Sequence, residues 1–133
     1  MASIGGDWSD FYPETKKVAN LFLKSFKKED ERVEIYFVDN ATMASINGRF
    51  RKKHGPTNIL SFSWPKEMPN IPGFKRNPLG EIYIAPDYIR NEKSDWRYLL
   101  IHGLLHILGF DHTRKNDKIE MEREEKKCQK IFS

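Results

Sequence analysis

The stretch from Asp95 to His112 constrains this chain more than any other. Asp95 can cap a helix. Leu99, Leu100, Leu104, Ile107 and Leu108 then surround that helix with apolar side chains, so most of it belongs in a core. Yet three of the four histidines fall in this stretch: His102, His106 and His112, at i, i+4 and i+10. The fold must therefore bury a helix while accommodating two imidazoles one turn apart.

At 3.6 residues per turn, positions i and i+4 lie roughly 40° apart around a helix. His102 and His106 thus point the same way. Gly109 accepts positive φ without a Cβ penalty and lets the chain turn, so His112 can swing back towards the same point. A single histidine on a buried helix is more often a hydrogen-bonded core residue. Two at this spacing, with a third beyond a glycine turn, favour a metal site. Three neutral imidazoles suit one Zn2+ ion and leave a fourth position for water or substrate. Asp111 has two readings: it accepts a hydrogen bond from a ligand histidine or nearby backbone, or it stabilises the turn.

A bound zinc lowers the pKa of its water from about 15.7 towards roughly 7 and polarises phosphoryl or carbonyl oxygens. The histidine spacing equals that of the metzincin proteases, His-Glu-x-x-His-x-x-Gly-x-x-His. Here Gly103 stands where their glutamate moves protons. Amide cleavage by that route loses its shuttle. Phosphodiester cleavage asks instead for stabilisation of charge on phosphate oxygens, which a metal and an arginine supply.

The 133 residues fit one domain, and 13% aromatic with 32% charged residues describe a soluble globular chain rather than a disordered one. Residues 1–8 lack an apolar core and read as a disordered or appended leader rather than a secretory signal. The lone Cys128 has no disulfide partner within the chain and reads as a small apolar residue of a C-terminal helix. The longest apolar run, Tyr98 to Phe110, is shorter than the roughly 20 residues a bilayer demands, so no membrane association and a cytoplasmic location are expected. The formal charge of +4 is compatible with nucleic acid without proving it. Arg49, Arg51, Lys52, Lys53 and His54 form a dense basic segment. Alone it would be a solvated turn; beside an active site it becomes a phosphate-contacting edge.

Helical spacing of Val18, Leu21, Phe22 and Phe26 predicts a first amphipathic helix. Alternation of Val33, Ile35 and Phe37 with Glu34 and Tyr36 predicts a strand. Asp39 or Asn40 can cap a short helix carrying Met43 and Ile46, ahead of the basic segment. Residues 58–64 and 81–85 read as strands, and 65–78, rich in proline, as a long loop. Pro86 suits the first turn of a helix to about Glu92, and 116–132 reads as a charged C-terminal helix. The class is α+β: a small mixed sheet flanked by helices, with the zinc site on a buried helix and the turn after it.

His102-Gly-Leu-Leu-His-Ile-Leu-Gly-Phe-Asp-His112 resembles the His-Gly-x-Leu-His-Leu-x-Gly-Tyr-Asp-His signature of the YbeY family, bacterial endoribonucleases of ribosomal RNA maturation. Phe50-Arg51 with Pro56-Thr57-Asn58-Ile59-Leu60-Ser61-Phe62 is similar to that family's Tyr-Arg-Gly-Lys-Asp-x-Pro-Thr-Asp-Val-Leu-Ser-Phe, and Leu79-Gly80-Glu81-Ile82 to its Leu-Gly-Asp-Ile. The blocks stand in family order and span roughly Val33 to Glu125. The resemblance implies a zinc on His102, His106 and His112, and a part for Arg51 in RNA binding or cleavage. Lys52, Lys53, Thr57 and Asn58 are the further candidates for substrate contact; for Thr57 and Asn58 a purely structural role in the turn stands equally. The chain departs from the pattern at His54, Asn58 and Glu81, where the family often has aspartate, and His54 reads as a solvent-facing turn residue.

The resemblance thus implies a zinc-dependent, single-strand-specific endoribonuclease that trims ribosomal RNA near the small-subunit 3′ end and serves ribosome quality control, with single-stranded rRNA and the small ribosomal subunit as partners. Two rivals stand beside it: a zinc-dependent peptidase of metzincin-like geometry, and a non-catalytic assembly factor whose zinc is structural.

Overall fold

The alternating segment becomes β2 (Val33–Val38), one of two inner strands of a four-stranded mixed sheet. The computed structural model describes residues 2–4, 12–65, 77–109, 122–124 and 126–127. Along the chain the elements are β1 (Ala2–Ile4), α1 (Tyr12–Ser25), β2, α2 (Asn40–Arg51), β3 (Ile59–Ser63), β4 (Gly80–Ile84), α3 (Pro86–Glu92) and α4 (Trp96–Ile107). The strand order is β1-β2-β4-β3. β1, β2 and β4 run parallel, and β3 lies antiparallel to β4 on the far edge. Within the segment expected as a leader, residues 2–4 form a strand, and the rest of 1–8 lies outside the described residues. Ala2 to Ile4 pair with Tyr36 to Val38 and occupy what would be an exposed edge of β2. Three residues are too short a run to show a period.

Period-two alternation assigns each strand's residues to a face. Ile35, Phe37, Ile82 and Ile84 meet Phe22 of α1 and Leu100, Ile101, Leu104 and Leu105 of α4 in the larger core. Val38, Leu60 and Ala85 meet Met43 of α2 on the opposite face, with Tyr36, Phe62 and Tyr83 packed alongside. Each such fully buried side chain contributes about 1.5–3 kcal/mol, so α4 is held chiefly by its apolar stripe. In α1 the buried face is Val18, Ala19, Phe22 and Leu23, while Leu21 is 42% exposed. Leu21 sits about 100° around the helix from Phe22, off the stripe that meets the core.

The caps follow the sequence. The Thr42 N–H donates to Asp39 Oδ1 at 2.7 Å, starting α2. The Asp95 carboxylate accepts from the backbone N–H groups of Arg97 (3.1 Å) and Tyr98 (3.5 Å), starting α4. Pro86 enters the first turn of α3. The basic segment is not all turn, because α2 continues through Arg49 and Arg51 and stops at Lys52, whose φ of 54° is left-handed. Of the expected C-terminal helix, 122–124 and 126–127 are helical, and the rest lies outside the described residues. The 65–78 loop lies outside them too, apart from Pro65, Asn77 and Pro78. Among the described residues no helix is long and apolar enough to cross a membrane.

Gly80 sits where β3, β4 and α4 converge. A Cβ there would overlap the Phe62 carbonyl oxygen and lie 3.1 Å from the Ile107 side chain. The obstacle is backbone, which cannot swing aside. Gly80→Ala is expected to lose about 2 kcal/mol or more of stability. Gly48→Ala, whose added Cβ meets only the Lys53 carbonyl at 3.7 Å on an exposed helix face, should gain about 0.5–1 kcal/mol. Thermal unfolding followed by circular dichroism separates the two.

Candidate active site

The half-buried stripe of α4 carries His102 and His106. Their ring centroids are 5.0 Å apart and their planes cross at 63°. Tyr98 flanks the pair, its ring 6.1 Å from that of His102. With metal–nitrogen bonds of about 2 Å and a tetrahedral angle, two imidazoles on one ion hold their centroids about 5 Å apart. The observed pair fits that demand. His112 and Asp111 lie outside the described residues. Among the described residues no group of three or more metal-ligating side chains assembles.

The histidines form one wall of a cleft of about 420 Å³. Arg51, from the last turn of α2, forms part of another wall, with Thr57 and Asn58 beside it. Arg51 comes within reach because of how α2 ends. The Lys53 N–H donates to the Asn47 carbonyl at 3.3 Å, and Asn47 Nδ2 donates to the Gly55 carbonyl at 2.9 Å. Asn47 is buried, so this clasp fixes the 52–55 turn and the direction in which the chain enters β3. Gly55, at φ 78°, is the turn's second left-handed residue after Lys52. Lys52, Lys53 and His54 are exposed and are not among the lining residues.

Asn58 is hydrogen-bonded at both ends of its side-chain amide. Its Nδ2 donates to Glu92 Oε1 at 2.8 Å, its Oδ1 accepts from the Ile59 N–H at 2.6 Å, and its carbonyl accepts from the Ala85 N–H at 3.0 Å. The Nδ2 bond ties the start of β3 to the end of α3, while the Oδ1 bond is local to the turn. Thr57 is half-buried on the cleft. Ser61, which sequence reasoning missed, lines the cleft from β3. Its signal was a hydroxyl within an apolar strand, at the same parity as Ile59. Leu99 and Ile59 make apolar walls, and Arg51 is the charged group among the described lining residues, which include no carboxylate.

Gly103 faces the sheet. A Cβ there would lie 3.5 Å from Ser61 Cβ, 3.7 Å from Ile82 Cδ1 and 3.8 Å from Ile59 Cδ1. Those are ordinary contacts, so alanine fits, while a glutamate would press its longer side chain against two isoleucines. Glu81 lies on the opposite face of the sheet from the histidines, where Tyr83 Oη donates to its Oε2 at 2.8 Å. Burial first, then the bond to Glu81, pushes the Tyr83 phenol far above its ordinary pKa.

The sequence profile described as Endoribonuclease YbeY matches residues 7–133. The chain belongs to the YbeY family. A relative from Alteromonas mediterranea, named Endoribonuclease YbeY, is 38% identical over 115 residues, covering 80% of this chain and 70% of that protein. The solution structure of TM1509 from Thermotoga maritima aligns with a TM-score of 0.56 at 25% identity, over 96% of this chain and 86% of that one.

If position 103 is closed to long side chains by the sheet, Gly103→Ala should keep or slightly raise the midpoint of urea unfolding. Gly103→Glu should cost on the order of 2–3 kcal/mol through a poorly solvated carboxylate. Equal midpoints for the two variants would refute that reading of Gly103.

Proposed function

We propose that this protein is a metal-dependent endoribonuclease that cleaves single-stranded ribosomal RNA in the cytoplasm, acting near the small-subunit 3′ end and in ribosome quality control. One observation carries the reading. Arg51, from α2, lines the same cleft as the ring pair His102 and His106, from α4, in a chain of the YbeY family.

The histidine pair suits a zinc ion completed by His112, and such an ion, when bound, would polarise a phosphate oxygen and acidify a coordinated water. The chain's own side chains do the rest. The Arg51 guanidinium is a planar cation that grips a phosphate through two parallel hydrogen bonds. It offsets charge that builds on the phosphate oxygens during displacement. Thr57 and Ser61 offer hydroxyl donors along the same wall. Leu99 and Ile59 add apolar walls, which lower the local dielectric and strengthen those interactions. The nucleophile is a water or the RNA's own 2′-hydroxyl. The first leaves a free terminal phosphate, the second a 2′,3′-cyclic phosphate, so analysis of product ends decides between them.

The test is metal analysis together with cleavage of a single-stranded fragment of small-subunit rRNA. Arg51→Ala and His102→Ala should each lose about 10²-fold or more in rate, and Arg51→Lys should recover only part, because an ammonium cannot make the paired contact. Cleavage unchanged in both alanine variants would refute the mechanism. Chelation should abolish cleavage yet leave the circular dichroism spectrum folded; unfolding on chelation would make the metal structural.

A further inference from the structure

The face of β3 and β4 opposite the histidines carries a second cleft, of about 280 Å³. Its wall is an aromatic run. Phe50 meets Phe62 with centroids 5.7 Å apart, Phe62 meets Tyr83 at 5.9 Å, and both contacts are edge-on. Tyr83 in turn stacks on Tyr36 at 5.2 Å, which fixes the inner end of the run. Trp64 and Glu81 also line it, with Ile46, Ser63 and Pro65. Phe50 is 64% exposed, so the fold gains little from its ring.

The two clefts are joined through the chain. Phe50 lines this one and its neighbour Arg51 lines the histidine cleft, so their Cα atoms are about 3.8 Å apart. Arg49, Arg51, Lys52 and Lys53 are all exposed where α2 ends, between the two. β3 is an edge strand of the described sheet, and the two clefts lie on its two faces.

Resting on the RNA reading above, we propose that the Phe50–Phe62–Trp64 cleft is a nucleobase subsite. It takes a base from the same single strand whose phosphate lies at Arg51, while the cations at the end of α2 hold the phosphates between. Three features select a nucleotide. The exposed cations complement a phosphodiester backbone. Aromatic faces accept a base of any sequence by stacking. The volume falls just below the roughly 300–1,000 Å³ typical of small-molecule sites, so it suits one planar group. Glu81 adds a preference. Its carboxylate, oriented by the hydrogen bond from Tyr83, accepts from an exocyclic amino group. Adenine, guanine and cytosine carry one, and uracil does not.

The test uses the full chain and fluorescein-labelled, cleavage-resistant 2′-O-methyl oligonucleotides, read by fluorescence anisotropy. A trinucleotide is compared with oligoadenylate and oligouridylate of about ten nucleotides, a length in the range of single-strand binding sites. The wild type should favour oligoadenylate over the trinucleotide. That ratio should fall about tenfold in Phe50→Ala, be restored in Phe50→Trp, and stay unchanged in Leu21→Ala, which trims an exposed apolar side chain elsewhere. Glu81→Gln should narrow the gap between oligoadenylate and oligouridylate. An unaltered ratio in Phe50→Ala, in a protein that still cleaves RNA, overturns the subsite and leaves the nuclease reading standing. A wild type that neither binds nor cleaves RNA overturns both.

Discussion

Everything here depends on how closely α4 lies against β3 and β4. Two glycines permit it. At Gly80 a side chain would collide with the Phe62 carbonyl and crowd Ile107 of α4; at Gly103 the helix presents only a Cα to Ser61, Ile59 and Ile82. With the apolar stripe seated, the stripe bearing His102 and His106 is left at the rim of the sheet, half-buried and facing the end of α2. The cleft is a consequence of that packing. Its rigidity comes from the core, whose dense interior resists small displacements.

The other half of the site depends on how α2 ends. A left-handed Lys52, the buried Asn47 clasping Gly55, and Asn58 bonded to Glu92 together define the path from helix to edge strand. The two bonds are made by asparagine side chains, one to a backbone carbonyl and one to a carboxylate. They deliver Arg51 to one face of the sheet edge and Phe50 to the other. A helix side chain that bears charge and its aromatic neighbour thus serve different clefts. On a helix, adjacent residues diverge by about 100°, and an edge strand gives each of them a separate face to meet.

Much of the fold was legible because periodicity is local. The strand at Val33–Val38, the cap at Asp95, the proline start of α3 and the buried character of α4 each follow from a few adjacent residues. Two readings shifted for physical reasons. Leu21 has the composition of a core residue but lies off the stripe that meets the sheet. Arg49 and Arg51 belong to a helix rather than a turn, because the left-handed stop comes at Lys52, a residue type that carries no glycine signal. Ser61 was missed because a serine within a strand announces itself only when the facing helix is known.

The sequence by itself determined a spacing: two imidazoles one helical turn apart, a third histidine beyond a glycine, an arginine before a Pro-Thr-Asn turn, and the family to which such spacing belongs. Spacing along one helix dictates direction, so His102 and His106 were paired before any packing was considered. Only the tertiary structure decided that Arg51 shares their cleft, that Asn58 is occupied in holding the turn, and that Phe50 opens onto the reverse face. Those relations join residues tens of positions apart, and nothing local in a chain encodes which face of a sheet a distant helix will cover.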